Sequence, residues 1–286
     1  MRTIVWALAA AAIVGIAYGA DNSRVLAPEM VFVKGGTFTI GCTPEQGKDC
    51  WEQERPAHSV TVNDFYIAKY EVTQGLWKSV MGSLPSGWLE GQNVSSGYGM
   101  GDNYPVYYAS WDDAQEFIKK LNAKTGRKYR LPTNAEWEYA ARGGAESMGY
   151  KYAGSDNIKD VGWYMQNSGN KPIDRNFDVI EDYLEIDVSG LLITNDNKTH
   201  AVGTKQPNEL GIYDMAGNVS EWVNDRFEDY GSGARTNPAG PSTGDYRVFR
   251  DGAWGSPAHL CRVSSRGYCE PYYRNNTLGF RLALSP

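Results

Sequence analysis

The chain has 286 residues, 41% of them hydrophobic, enough for one large packed domain or two small ones. A formal net charge of −6, with no lysine/arginine cluster, excludes a sequence-independent nucleic-acid binder. Thirty-two glycines and thirteen prolines exclude an architecture of long uninterrupted helices and call for many turns.

In chain order, the first twenty residues, MRTIVWALAAAAIVGIAYGA, read as a secretory signal. Arg2 gives the positive end, Ile4–Ile16 the apolar run and Ala17-Tyr18-Gly19 a small-x-small cleavage site. That run is too short to read as a membrane span, and nothing like it recurs. The mature chain, residues 21–286, is therefore expected to be secreted or periplasmic, with no membrane span once the signal is removed. Export makes disulfides permissible. Cys42 and Cys50 flank the turn-rich TPEQGKD segment and are expected to pair, a bridge worth roughly 2–3 kcal/mol by restricting the unfolded chain. Cys261 and Cys269 have the same spacing, and their pairing stays open. No C-x-x-C or H-x-x-x-H spacing joins the cysteines to His58, His200 or His259 as a metal site.

Met30–Ile40 alternates apolar and polar residues around Gly35-Gly36, the pattern of a hairpin, and Val60–Val72 continues in β-branched and aromatic residues. Thr73 caps a short helix with Leu76, Trp77 and Val80 on its apolar side. Ser110 caps the clearest helix, to Asn122, with Asp112 and Asp113 in its first turn and Ala114, Phe117, Ile118 and Leu121 in one stripe. Thr133-x-x-Glu136 forms a capping box for a third helix that ends at Gly143-Gly144. Beyond Gly144 the periodicity fades. The acidic stretch at about 170–200 reads as a surface insertion with a strand pair around Ile186–Ile193. No internal repeat or linker interrupts Met30–Leu284, so one domain is expected.

Four segments occur in a telling order: MVFVKGGTFTIG (Met30–Gly41), LPTNAEWEYAARGG (Leu131–Gly144), GIYDMAGNVSEW (Gly211–Trp222) and RVFRDGAWGSPAHLCRVSSRGYCEPYYRNNTLGFRLAL (Arg247–Leu284). Together they resemble the formylglycine-generating enzyme (sulfatase-modifying factor) family, from about Met30 to Leu284. The resemblance implies an α+β fold, an irregular, loop-rich single domain related to C-type lectins. It also implies a structural calcium ion held by Asp214 and Glu221 with the carbonyls of Gly217 and Val219. Two carboxylates seven residues apart on a glycine-bearing turn can converge on a hard cation. From the residues alone the competing reading is that Asp214 caps a turn and Glu221 pairs with an arginine such as Arg250 or Arg281.

Catalytic relatives oxidise a substrate cysteine with copper(I) held by two cysteines five residues apart, soft ligands that suit that ion. Registered from Asp251-Gly252-Ala253-Trp254, the two positions here are Ser256 and Cys261. A hydroxyl is a hard, weak ligand for copper(I), so neither copper nor this catalysis is expected. Registered from the C-terminal side, Cys261 falls outside the pair altogether. Other catalytic signatures (G-x-S-x-G, a Walker motif, H-E-x-x-H) do not occur. His259 is the one histidine in the segment available as a base.

What remains is a surface for binding. Phe249, His259, Tyr268, Tyr272 and Tyr273 are the candidate ligand contacts. The tyrosines are expected in one exposed patch between Arg266 and Arg274, supported beneath by Trp254 and Phe280. Framework residues interleaved with small and aromatic ones also resemble the variable segments of lectin-fold proteins diversified by retroelements. The function expected is a secreted, non-catalytic protein that binds a protein or glycan ligand. One alternative is an oxidase converting a sulfatase cysteine to formylglycine through a non-standard site centred on Cys261. The other is a structural or accessory protein of the cell envelope.

Overall fold

The computed structural model describes residues 27–85, 97–175 and 187–286. Strands β1 (Met30–Val33) and β2 (Gly36–Ile40) do not form the expected hairpin. At Gly35 the chain passes so close to Val62–Asp64 that no side chain fits, and its N–H donates to Asp64 Oδ1 (2.8 Å). The two strands thereby enter different sheets. β1 pairs antiparallel with β4 (Phe65–Ala68), while β2 pairs antiparallel with β3 (His58–Val62). The alternation in the sequence marked strands correctly; it did not carry the information that two consecutive strands part company.

The three helices expected from their caps form where they should. Thr73 Oγ1 accepts from Leu76 N–H at the start of α1 (Gln74–Met81). Ser110 and Asp113 exchange side-chain and backbone bonds at the start of α2 (Trp111–Thr125), and Thr133 and Glu136 do the same for α3 (Asn134–Ala141). A one-turn helix α4 (Ile158–Val161) follows. In the acidic insertion, Ile186 lies outside the described residues, and Val188–Thr194 is a helix, α5, instead of a strand pair. Asp187 caps it by accepting from Gly190 N–H (2.8 Å), a local bond that outweighs the strand preference of Val188 and Ile193.

The C-terminal half supplies a four-stranded sheet in the order β8–β7–β5–β9. Its members are β5 (Ser220–Arg226), β7 (Arg247–Arg250), β8 (Arg266–Cys269) and β9 (Leu278–Phe280). β6 (Arg235–Thr236) adds to β3, and β10 (Ala283–Leu284) closes back onto β4. One core lies around α1 and α2, where Phe280 packs against Trp77 and Phe117. A second lies between α3 and strands β2, β3, β5 and β7, with Trp137 at its centre. The domain is thus a mixed helix-and-sheet unit whose last forty residues return to every earlier layer. Among the described residues, no helix is long and apolar enough to cross a membrane.

Candidate functional site

Three buried arginines fix the C-terminal segment to upstream elements. Arg250 Nη2 donates to Glu138 Oε2 of α3 (2.8 Å), Arg262 forks onto Glu54 (2.7 and 2.8 Å), and Arg281 forks onto Glu221 (2.6 and 2.7 Å). All six side chains are at most 1% exposed. Pairs so deep are worth little net stability but are costly to break, because the remaining charge has no water to turn to. Glu138 and Glu221 come from two of the four motifs that carry the family resemblance, so those motifs encode the anchoring of this segment.

Arg281 decides how far the implied calcium set fits. Both Glu221 oxygens accept from Arg281, and Oε2 also accepts from Trp137 Nε1 (2.7 Å). Glu221 therefore makes the ion pair of the competing reading. Asp214 Oδ2 accepts from Gly203 N–H (2.7 Å), and only its buried Oδ1 lacks a partner. The N–H groups of Gly217 and Val219 donate to Asp251 and Glu71. Of the four carboxylate oxygens only Asp214 Oδ1 lacks a partner, so Glu221 would have to release Arg281 to serve a calcium ion. The melting temperature is accordingly expected to be the same, within about 1 °C, in chelator and in millimolar calcium. A rise of several degrees with calcium would show the ion displacing Arg281.

The segment's disulfide neighbour is as expected: Cys42 and Cys50 are bonded, with Cα atoms 5.9 Å apart. Arg262 Nη2 donates to Asp49 O (3.0 Å), which ties the bridged loop to the segment. Cys261 and Cys269 are both free thiols, which settles the pairing that the sequence left open.

Ser256 and Cys261 lie together. A Cβ built at Gly252 would meet Cys261 Sγ at 2.6 Å and Ser256 Cβ at 2.9 Å, so the two side chains flank the same glycine. These are the two positions that the register from Asp251–Trp254 implies. Ser256 Oγ accepts from Ala253 N–H (2.9 Å), and Cys261 is wholly buried with Tyr152, Tyr164 and Ala216. Burial, reinforced by nearby Asp251, pushes the Cys261 thiol well above its usual range. Cys269, at the far end of β8, is pushed up to about 12 by burial. One protonated thiol beside a hydroxyl does not fit copper(I), which wants two thiolates.

Over these residues opens a cleft of about 310 Å³. Trp51, Phe249 and Leu260 form its apolar walls, Gly252 and Gly267 its floor, and Ser256, Ser265 and Thr277 its small hydroxyls. Asp251 reaches it from below, but its two oxygens accept from Gly217 and Gly252 N–H, and burial holds its carboxyl well above the usual range. Arg266 lies 5% exposed, with its guanidinium over Tyr230 and Phe227 and Nη2 donating to Glu228 O. The cleft therefore presents no free charge.

The candidate contacts divide. Phe249 lines this cleft, and His259 sits in the turn Ala258–Cys261 beside its wall residue Leu260. Tyr268, 44% exposed, points to the opposite face of β8, against Phe227 and Tyr246. Tyr272 and Tyr273 are exposed on the following turn, where Arg274 forks onto Asp113 at the start of α2. The tyrosines are exposed as expected, but no single patch joins them. Arg266 is buried rather than flanking them, and Phe280 belongs to the α1–α2 core. Strand alternation explains the split, since Gly267 and Tyr268 must face opposite ways. Sequence reasoning missed Trp51 and Gln53, which reach the site only because the disulfide loop folds over it.

A second buried acid lies nearby. Asp225, 5% exposed, accepts from Asn134 N–H (2.9 Å), and burial raises its carboxyl to about 7. Because its folded value lies above the unfolded one, its contribution to stability is complete below about pH 4 and is lost as the pH rises through 7. Asp225→Asn, which keeps the acceptor, is expected to raise the melting temperature at about pH 8 and change it little below about pH 4. Equal shifts at both pH values would contradict this placement of the proton.

Comparison with known proteins agrees with the fold and the motifs. Residues 18–286 match the family model described as the sulfatase-modifying factor enzyme 1-like domain. The chain is 32% identical over 303 residues to chaperone protein LppX of Paenibacillus barcinonensis, covering 93% of each chain. It is 34% identical over 214 residues to the formylglycine-generating enzyme of Streptomyces coelicolor, covering 72% of this chain and 60% of that one. Among solved structures, Treponema denticola variable protein 1 superposes with a TM-score of 0.70 at 28% identity, over 90% of this chain and 95% of that one. PvdO from Pseudomonas aeruginosa does so with a TM-score of 0.66 at 26% identity, over 91% and 95%. With the motifs, the buried pairs they encode and these similarities in place, the chain belongs to the sulfatase-modifying factor, or formylglycine-generating enzyme, family.

Proposed function

We propose that this protein is an exported, non-catalytic member of its family that binds a protein or glycan ligand in the cleft above Gly252. The observation that supports the reading is Ser256 lying with Cys261 at Gly252, the two positions that the register from Asp251–Trp254 implies for the copper ligands: one thiol stands there, not two. An uncharged, aromatic-walled cleft with small hydroxyls suits recognition of a neutral group. The signal-like residues 1–20 lie outside the described residues, and the Cys42–Cys50 bridge supports export. An accessory role in the cell envelope is favoured as second reading by the relative named as a chaperone.

Trp51 is the residue on which to test binding, since it is 43% exposed and walls the cleft. Trp51→Ala is expected to leave stability within about 0.5 kcal/mol and to remove the hits that wild-type protein gives on glycan and peptide arrays. Unchanged hits would place the ligand elsewhere on the molecule.

A further inference from the structure

The cleft runs along the outer edge of a sheet, which the turn Glu52–Glu54 flanks at the Arg266 end. β8 is the outermost strand of its sheet and pairs only with β7 among the described residues. The backbone bonds of a strand alternate from side to side, so one known direction fixes the others. Gln53 Nε2 donates to Arg266 O (3.0 Å) from outside the sheet, which shows that Arg266 turns its carbonyl outward. Two residues on, Tyr268 must turn its own N–H and C=O the same way, while Gly267 and Cys269 bond inward to their partners Phe249 and Arg247.

Gln53 thus stands where a neighbouring strand would begin, and Tyr268 offers the next donor and acceptor. Gly267, between them, carries no side chain because the Phe249 ring occupies that space. Its face opens to the cleft between Trp51, Phe249 and Leu260.

We propose that an extended, uncharged peptide segment of a partner protein adds as a strand to the β8 edge, bonding the main chain of Tyr268 and seating one apolar side chain in the cleft. The proposal deepens the binding reading above and rests on it. Strand addition supplies affinity through main-chain bonds and specificity through the pocket for an alternate side chain. A residue placed opposite Gly267 projects to the Phe249 face, and its neighbours in sequence meet Tyr268. The cleft selects against charge at that residue, since Asp251 is already satisfied from below and Arg266 is turned away to Tyr230.

The probes are capped pentapeptides, Ac-Ser-Thr-X-Thr-Ser-NH2, with X phenylalanine, leucine, aspartate or lysine. They are titrated to millimolar concentration into the full mature chain labelled with nitrogen-15. The phenylalanine and leucine peptides are expected to shift the Tyr268 amide and the Trp51 indole together. The charged peptides should bind at least about ten-fold more weakly. Methylating the backbone nitrogens beside X should weaken binding by about ten-fold, the loss of roughly one good hydrogen bond. Tyr246→Thr, which alters only a side chain packed on the far face, should keep affinity within about three-fold. Tyr268→Pro, tolerated where an edge N–H faces solvent, should abolish it. A shift at Trp51 without one at Tyr268, or indifference to backbone methylation, overturns strand addition and leaves the cleft reading intact. Neutral saccharides that shift Trp51 where no peptide does would have the same meaning. No shift from either class of probe overturns both.

Discussion

Arg281→Ala is expected to leave the protein unfolded or insoluble at 37 °C. Arg281 is fully buried and ties its segment to three separate upstream stretches of the chain. Its Nε and Nη2 fork onto Glu221, Nη1 donates to Ala68 O (3.2 Å), and Nη2 also reaches Tyr213 O and Asp214 O (3.0 Å each). Buried Glu71 and Asp214 lie within its field. Alanine leaves Glu221 charged with only the Trp137 indole as partner. Breaking a buried pair this way costs about 3–5 kcal/mol, against a total stability of about 5–15 kcal/mol for a typical domain. Arg281→Lys keeps the charge but not the fork and should recover only part of the loss. The double replacement Glu221→Gln, Arg281→Met should be more stable than Arg281→Ala alone, because no ion is then stranded. Urea unfolding of the four proteins measures this. A midpoint for Arg281→Ala equal to wild type would show that the pair does not hold the segment.

The second large effect is a gain. Ser256→Cys is expected to take the chain from no copper(I) bound to a single tightly bound ion. The two side chains already flank Gly252, and the change from hydroxyl to thiol is small in a position whose oxygen makes one bond, to Ala253 N–H. The raised value of Cys261 opposes thiolate formation in the apoprotein, and metal binding drives it. Titration against a chromogenic copper(I) chelator reads the stoichiometry directly. Adding Cys261→Ala to Ser256→Cys should return it to none. Stoichiometric copper(I) on wild-type protein would contradict the account of Ser256 as the missing ligand.

Much of this fold was legible because its signals are local. Ser110 and Thr133 each declare a helix start within four residues, and the Cys42–Cys50 bridge closes a turn-rich loop of short span. The family motifs gave the fold class, and one of the two registers they allow names Ser256 and Cys261, which lie together. What failed was non-local. Nothing in MVFVKGGTFTI says that β1 and β2 join different sheets, since each strand's partner lies well beyond the segment, Ala68 for Met30 and His58 for Ile40. Trp51 and Gln53 belong to the site only through the fold of the bridged loop and the reach of Arg262 to Asp49. Tyr268 was grouped with Tyr272 and Tyr273 by proximity in sequence. A strand's period of two sends it to another face. For Glu221 the sequence left calcium and an arginine partner both open, and the structure shows the arginine.

The most direct test of the central claim, a retained site without its catalytic thiol pair, is an oxidation assay on the purified mature chain. Copper(I), oxygen and a Cys-x-Pro-x-Arg peptide are supplied, and aldehyde is captured with an aminooxy probe. The structure predicts no aldehyde above a protein-free control, because one buried, protonated thiol at Cys261 cannot hold copper beside Ser256. Turnover by wild-type protein that disappears in Cys261→Ala would contradict it.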